Sequence, residues 1–370
     1  SKPSMTASRT FFYSLITYIS AATMYKSMND SRIRHAGKMA TSAADKEKGA
    51  TANAKGEVNW WAKSYAANLT EEGEYVSVKV GTYIDSFESL SIKDSFWSTH
   101  FYIWFSWQGD RDLNPGGSFF LVNGTITKKE LLEEVHDDSG MNYQRYRVSA
   151  KMIKFYDATR VPLEDHMLNL YVEDGMRDVN KIRYIADSVK ISPRAEIPGF
   201  TIVKISDVVQ AHSYKTTYGD PRVVAGSERV HSQYLAGIRI SRDGIGSYIK
   251  IFLSLFAATL LTLFSFFIKP TDYGTRFAMP TGAYFGAVAN SYVANGTLPS
   301  YAGEFGLVDH ITGIGLLTIT LSIVLSLYSY HLAVRKAEPE LAIALDRIMF
   351  MVLGGSCLLA NIIIPFCARG

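Results

Sequence analysis

Apolar residues crowd the last third of this chain into four stretches, at 247–268, 276–297, 306–332 and 345–366. A bilayer core takes roughly 20 apolar residues per helix, and each stretch has about that length. The pattern predicts a transmembrane domain of four helices over 244–370. The second stretch is the least apolar, because Thr281, Asn290, Ser291 and Asn295 fall inside it. Polar residues within a span face protein or water rather than lipid.

Upstream, the period drops to two. Val76, Val78 and Val80 alternate with Ser77, Lys79 and Gly81, and the aromatic run at 95–107 continues as a second strand. Further strands are expected at 117–122, 144–155, 166–174, 199–209 and 231–242. Turn signals separate them, among them Asn114-Pro115-Gly116-Gly117, Asn123-Gly124 and Gly219-Asp220-Pro221. The segment 127–138 (TKKELLEEVHDD) reads as a short helix. Many short strands at this spacing predict a β-sandwich over 74–243.

Residues 1–73 form an N-terminal extension. Its apolar segment, 11–25, fits a signal sequence, with Arg9 in front and Ser20-Ala21-Ala22 as the cleavage region. The preferred reading is a retained helix on or tilted into the membrane. Residues 29–56 read as a solvated linker or helix, and 58–69 as an amphipathic helix.

Composition narrows the function. The net charge of +3 and the lack of a long basic run argue against a nucleic-acid partner. The two cysteines, Cys357 and Cys367, both lie in the last apolar stretch, so the β part carries no disulfide. A cysteine-free head suits a bacterial protein. No metal-ligand spacing, nucleophile elbow or phosphate loop is present, so neither an enzyme nor a cofactor is expected. The acidic residues in 133–138 fit a loose calcium site or a solvated charged helix. Lys269, Arg276, Arg335, Lys336 and Arg347 fall on one side of the spans. The positive-inside rule makes that side cytoplasmic and the β part periplasmic or extracellular, in a multi-pass protein of the inner (plasma) membrane. Arg369, at the other side, opposes this.

Several motifs recur in one order. Trp107-Gln108-Gly109-Asp110, with Leu113, ends the second strand. Tyr156 to His166 (YDATRVPLEDH) holds Pro162, followed by Glu164 and Asp165. Arg242 precedes the first span. Leu298-Pro299 follows the second, and Leu307-Val308-Asp309 opens the third. Together these resemble the pentameric ligand-gated ion channels, the Cys-loop receptor superfamily, in their prokaryotic form. The resemblance covers residue 74 onward. It departs in three places. Val161 replaces an aromatic, Glu164 stands where Asp is usual, and the proline of the first span is missing.

The resemblance implies a homopentamer in contact with membrane lipids, gated by an unidentified small-molecule or ionic modulator. It implies that the second span lines a pore. Counted from Arg276, Ala278, Gly282, Phe285, Ala289, Tyr292 and Gly296 form one helical stripe. Phe285 is its bulkiest mid-depth member and the expected hydrophobic gate, with Tyr292 as an outer constriction. The same small residues also fit close helix packing. Asp272, near the inner mouth, inclines the pore toward cations, and Arg276 is expected to turn back into the bundle or the headgroups rather than into the pore. Pro162, Glu164, Asp165, Arg242 and Pro299 are implied in coupling, with Arg242 pairing the two acids. Trp107 by motif, and Tyr184, Tyr214 and Tyr218 by position, are implied in ligand binding. Core packing accounts for these aromatics equally well. His100, His136, His166, His212 and His231 suggest proton sensing, although histidines scattered in a β head are usually structural. The alternative function is a non-conducting receptor or scaffold with the same fold.

Overall fold

The computed structural model describes residues 51–52, 58–59, 75–216, 229–242, 244–299 and 303–369. The apolar segment 11–25 and the 219–221 turn lie outside these residues. So does the expected 58–69 helix, except for its first two residues. Those two, Val58–Asn59 (β2), pair with Thr51–Ala52 (β1) as a short antiparallel ladder.

Period-two sequences become strands as expected. In β4 (Phe96–Gln108), Phe101, Ile103, Phe105 and Trp107 are buried, while Tyr102, Trp104 and Ser106 face the other way. The first sheet has the order β6-β7-β4-β3-β9, adding β3 (Val76–Ser91), β6 (Gly124–His136), β7 (Met141–Ile153) and β9 (Ile182–Ile191). The second sheet is β10-β11-β8-β5, built from β5 (Phe119–Leu121), β8 (Asp165–Asp174), β10 (Phe200–Tyr214) and β11 (Arg229–Arg242). One apolar core takes Trp97, Phe101 and Val148 from the first sheet and Leu168, Tyr234 and Ile238 from the second. This is a sandwich-like arrangement.

Two elements depart from the sequence reading. Residues 127–138 are not helical; most of them lie in β6. Its register sets Glu130 opposite Arg147 and Glu133 opposite Arg145. The helix-forming residues are overridden by pairing with β7, and the charges and two bulges suit an edge strand. The strand β9 was not anticipated. It pairs parallel with β3, and a register shift opposite Val80 and Thr82 interrupts its alternation.

Four long helices follow: α1 (Gly244–Phe264), α2 (Tyr273–Asn295), α3 (Leu307–Tyr330) and α4 (Pro339–Arg369). Ile245–Phe267, Leu307–Arg335 and Pro339–Ala368 are long and apolar enough to cross a membrane. The 23-residue α2 has the length but not the hydropathy. The helix α4 starts before the apolar stretch because Pro339, at its first position, suits a helix start, and the residues between Pro339 and the stretch, Glu340 among them, continue it.

Among the described residues the chain divides into two units. Residues 157–164 join 242 onward in the helical unit, and the strands make up the other. The 157–164 segment connects β7 to β8, yet Leu163 belongs to the helical core with Tyr248, Phe252, Leu307 and Ile311.

Candidate functional site

The helix α2 has two unlike faces. Arg276, Pro280, Ala283, Ala287, Asn290 and Ala294 are buried. Their spacing of four and three residues traces one stripe. The opposite stripe, Ala278, Gly282, Phe285, Ala289, Tyr292 and Gly296, is exposed throughout. Phe285 is 69% exposed and Tyr292 76%. Pro280 leaves both stripes in register. Small residues sit on both faces, and the buried alanines account for close packing within the unit.

At its start, α2 is capped by Asp272, whose carboxylate accepts the Thr275 N–H at 3.4 Å. A carboxylate there also meets the positive end of the helix dipole. Arg276 turns inward and is wholly buried. It donates through Nη1 to Asp346 of α4 at 2.8 Å and to the Ile268 carbonyl at 3.1 Å, and through Nη2 to the other Asp346 oxygen.

The 157–164 segment is held at several points in the helical unit. Asp157 accepts from the Thr159 N–H at 2.9 Å and hydroxyl at 2.7 Å, shaping the turn. The Thr159 carbonyl then accepts the Leu307 N–H at 2.7 Å, at the mouth of α3. Gly306 permits this approach, since a Cβ there would lie 3.1 Å from the same carbonyl. Asp309 reaches back to the Gly306 N–H at 2.9 Å. Arg160 Nε donates to the Ala368 carbonyl at the end of α4, at 2.8 Å. Pro162, after a cis peptide bond, is buried, as is Pro299 beyond α2.

Glu164 is 2% exposed. Its Oε1 accepts from Arg242 Nε at 2.6 Å, and its carbonyl from the Arg242 N–H at 3.0 Å. Burial pushes its carboxyl above the usual glutamate range, and the Arg242 guanidinium offsets part of that rise. Asp165 pairs with Arg239 at 2.8 Å, whereas the sequence suggests that it shares Arg242 with Glu164. Asp165 starts β8, and period two sends neighbouring side chains to opposite faces.

The aromatics divide. Trp107 and Tyr184 are 2% and 1% exposed and lie in the sandwich core, where Tyr184 packs on Phe105. Trp107 Nε1 donates to the Asp110 carbonyl at 2.8 Å, tying the end of β4 to the following turn. Neither side chain presents a surface to a ligand. Tyr218 lies outside the described residues.

Tyr214 is half-buried and joins a cluster that the sequence reading missed. The carboxylate of Glu173, wholly buried, accepts from the Tyr214 hydroxyl at 2.8 Å and Gln233 Nε2 at 2.6 Å, and meets His212 Nδ1 at 2.6 Å. The His231 ring meets Tyr214 edge-on, centroids 5.5 Å apart. The residues come from β8, β10 and β11, and no local motif links them. The sequence singles out Tyr214, His212 and His231 separately, but nothing local ties them to the Glu173-Asp174 pair at the end of β8. The other histidines lie apart: His100 bonds Ser149, His136 bonds Asn142, and His166 packs on Tyr156.

No known protein family matches this sequence, and no curated protein does.

Proposed function

We propose that the chain is one protomer of a ligand-gated ion channel, a homopentamer whose pore is lined by α2. The observation that carries this is the exposed α2 stripe. Three neighbouring helices are apolar enough for lipid, and α2 is not. Its uncovered face, rich in Ala and Gly and bearing Thr281 and Asn295 beside the stripe, suits water and further copies of itself better than lipid tails. A single such helix encloses nothing, so several must surround an axis.

Phe285 is the gate in this reading. A ring of exposed phenylalanines at mid-depth closes a pore by dewetting. Asp272, at the inner end of α2, favours cations. The 157–164 segment is the coupling element, since it is continuous with β7 and β8 and bonded to α3, α4 and Arg242. The strand unit faces the periplasm or extracellular space of a plasma membrane, and a small molecule or ion acts on it.

The test is current across a bilayer holding purified protein, wild type beside Phe285→Ala. Currents in the variant that exceed those of wild type support the gate and the register. Silence in both favours the non-conducting receptor, which two bulky exposed aromatics on one stripe would also suit.

A further inference from the structure

Arg276 is the only charged residue in α2. It lies in the first turns of the helix, where the dipole disfavours a cation, so helix stability does not call for it. Its side chain is removed from the exposed stripe and gripped by Asp346, which is 3% exposed. The Ile268 carbonyl accepts a further bond from it, and the Phe266 ring centre lies 5.9 Å from the guanidinium. A buried, two-pronged pair has no net charge, and its field falls off faster with distance than that of a lone ion. The exposed residues of the same end, Gly274, Thr275 and Ala278, carry no charge, and Asp272 stands just before them.

We infer that Asp346 is a specificity-determining residue that sets ion selectivity by cancelling Arg276, although α4 lines no pore. The inference rests on the reading of α2 as the pore wall. With Asp346 present, the ring of helix starts offers permeating ions the Asp272 carboxylates and no cation from α2. Without it, each protomer adds one positive charge a turn inside the mouth. Charges in a constriction with low-dielectric walls act at greater range than in open water. The mouth would then attract anions.

The experiment measures the potassium-to-chloride permeability ratio from reversal potentials in a potassium chloride gradient, with Phe285→Ala as the conducting parent. Asp346→Asn is expected to lower the ratio about threefold or more. Asp346→Glu, which keeps the charge, leaves it near the parent value. Arg276→Gln with Asp346→Asn, which removes both charges, restores it. Where Asp346→Asn does not assemble, Arg276→Gln reads the same balance from the other side: it leaves the Asp346 carboxylate uncancelled, so the ratio rises. An unchanged ratio in Asp346→Asn or Arg276→Gln, or a double variant that stays shifted, overturns the inference and leaves the pore reading standing. A parent that carries no current overturns both.

Discussion

The Arg276 guanidinium and the Asp346 carboxylate join α2 to α4 across 70 residues of chain, both of them buried. Such a pair fixes geometry more than it adds stability, because desolvating two ions costs about what their attraction returns. Breaking it is another matter. Asp346→Ala leaves a buried cation without its partner and is expected to destabilise the helical unit by about 3–5 kcal/mol. Arg276→Met with Asp346→Leu removes both charges at similar volume and is expected to be neutral or stabilising. Thermal unfolding in detergent separates the two, and an Asp346→Ala variant as stable as the double variant would refute the buried pair.

The Glu164–Arg242 pair predicts a pH dependence of opposite sign to that of an ordinary paired carboxylate. Burial holds the Glu164 carboxyl above its unfolded value. Between the two values the folded protein keeps a proton that the unfolded chain has lost. Stability therefore falls as pH rises through that window, and acid restores it. Glu164→Gln keeps an acceptor for Arg242 but does not titrate. Wild type should gain on the variant as pH falls through the window, read from unfolding midpoints at a series of pH values. Parallel curves would mean that Glu164 does not titrate there.

What the sequence made legible follows from periodicity. Period two placed Phe101, Ile103 and Phe105 on one face of β4, and the apolar runs became helices, three of them long and apolar enough to cross a membrane. The pairing of Glu164 with Arg242 was also accessible from the motif order, and the turn of Arg276 away from the exposed stripe from the cost of a cation in a span, but not its choice of the bundle over the headgroups. Trp107 and Tyr184 show the limit. An aromatic count does not distinguish core from surface, although the parity of Trp107 with Phe105 already placed it inward. In the 127–138 segment, local helix propensity competed with strand pairing, and the pairing depends on β7, which no local window contains. The Glu173 cluster assembles Glu173, His212 and Gln233 from three strands, and only the sheet register brings them together.

Lys129 offers a second titration of opposite sign. Its ammonium lies 4.0 Å from the centre of the Phe119 ring and donates to the Gly117 carbonyl at 3.0 Å. Burial lowers its pKa to about 8. From there up to the ordinary lysine value the unfolded chain holds the extra proton, so stability rises with pH. The gain is about 1 kcal/mol once screening of a half-exposed group is allowed for. Lys129→Met should remove it, and the difference between the two proteins in urea unfolding at pH 8 and at pH 10 measures it. No change in that difference would mean that the ammonium is solvated.

Glu173 accepts bonds from Tyr214 and Gln233 while His212 holds the same carboxylate, so the cost of losing one partner depends on the others. Tyr214→Phe removes a hydroxyl bonded to a charged group and is expected to cost about 1.5–3 kcal/mol. Glu173→Ala removes a partner from three polar side chains at once and is expected to cost more. In the Tyr214→Phe background one of those partners is already gone, so Glu173→Ala should cost less there than in wild type. A double-mutant cycle in urea reads the difference as a coupling energy, expected between about 0.5 and 3 kcal/mol for groups in one network. Additive costs would mean that Tyr214 and Glu173 act independently, and the cluster would then be a set of neighbours rather than one network.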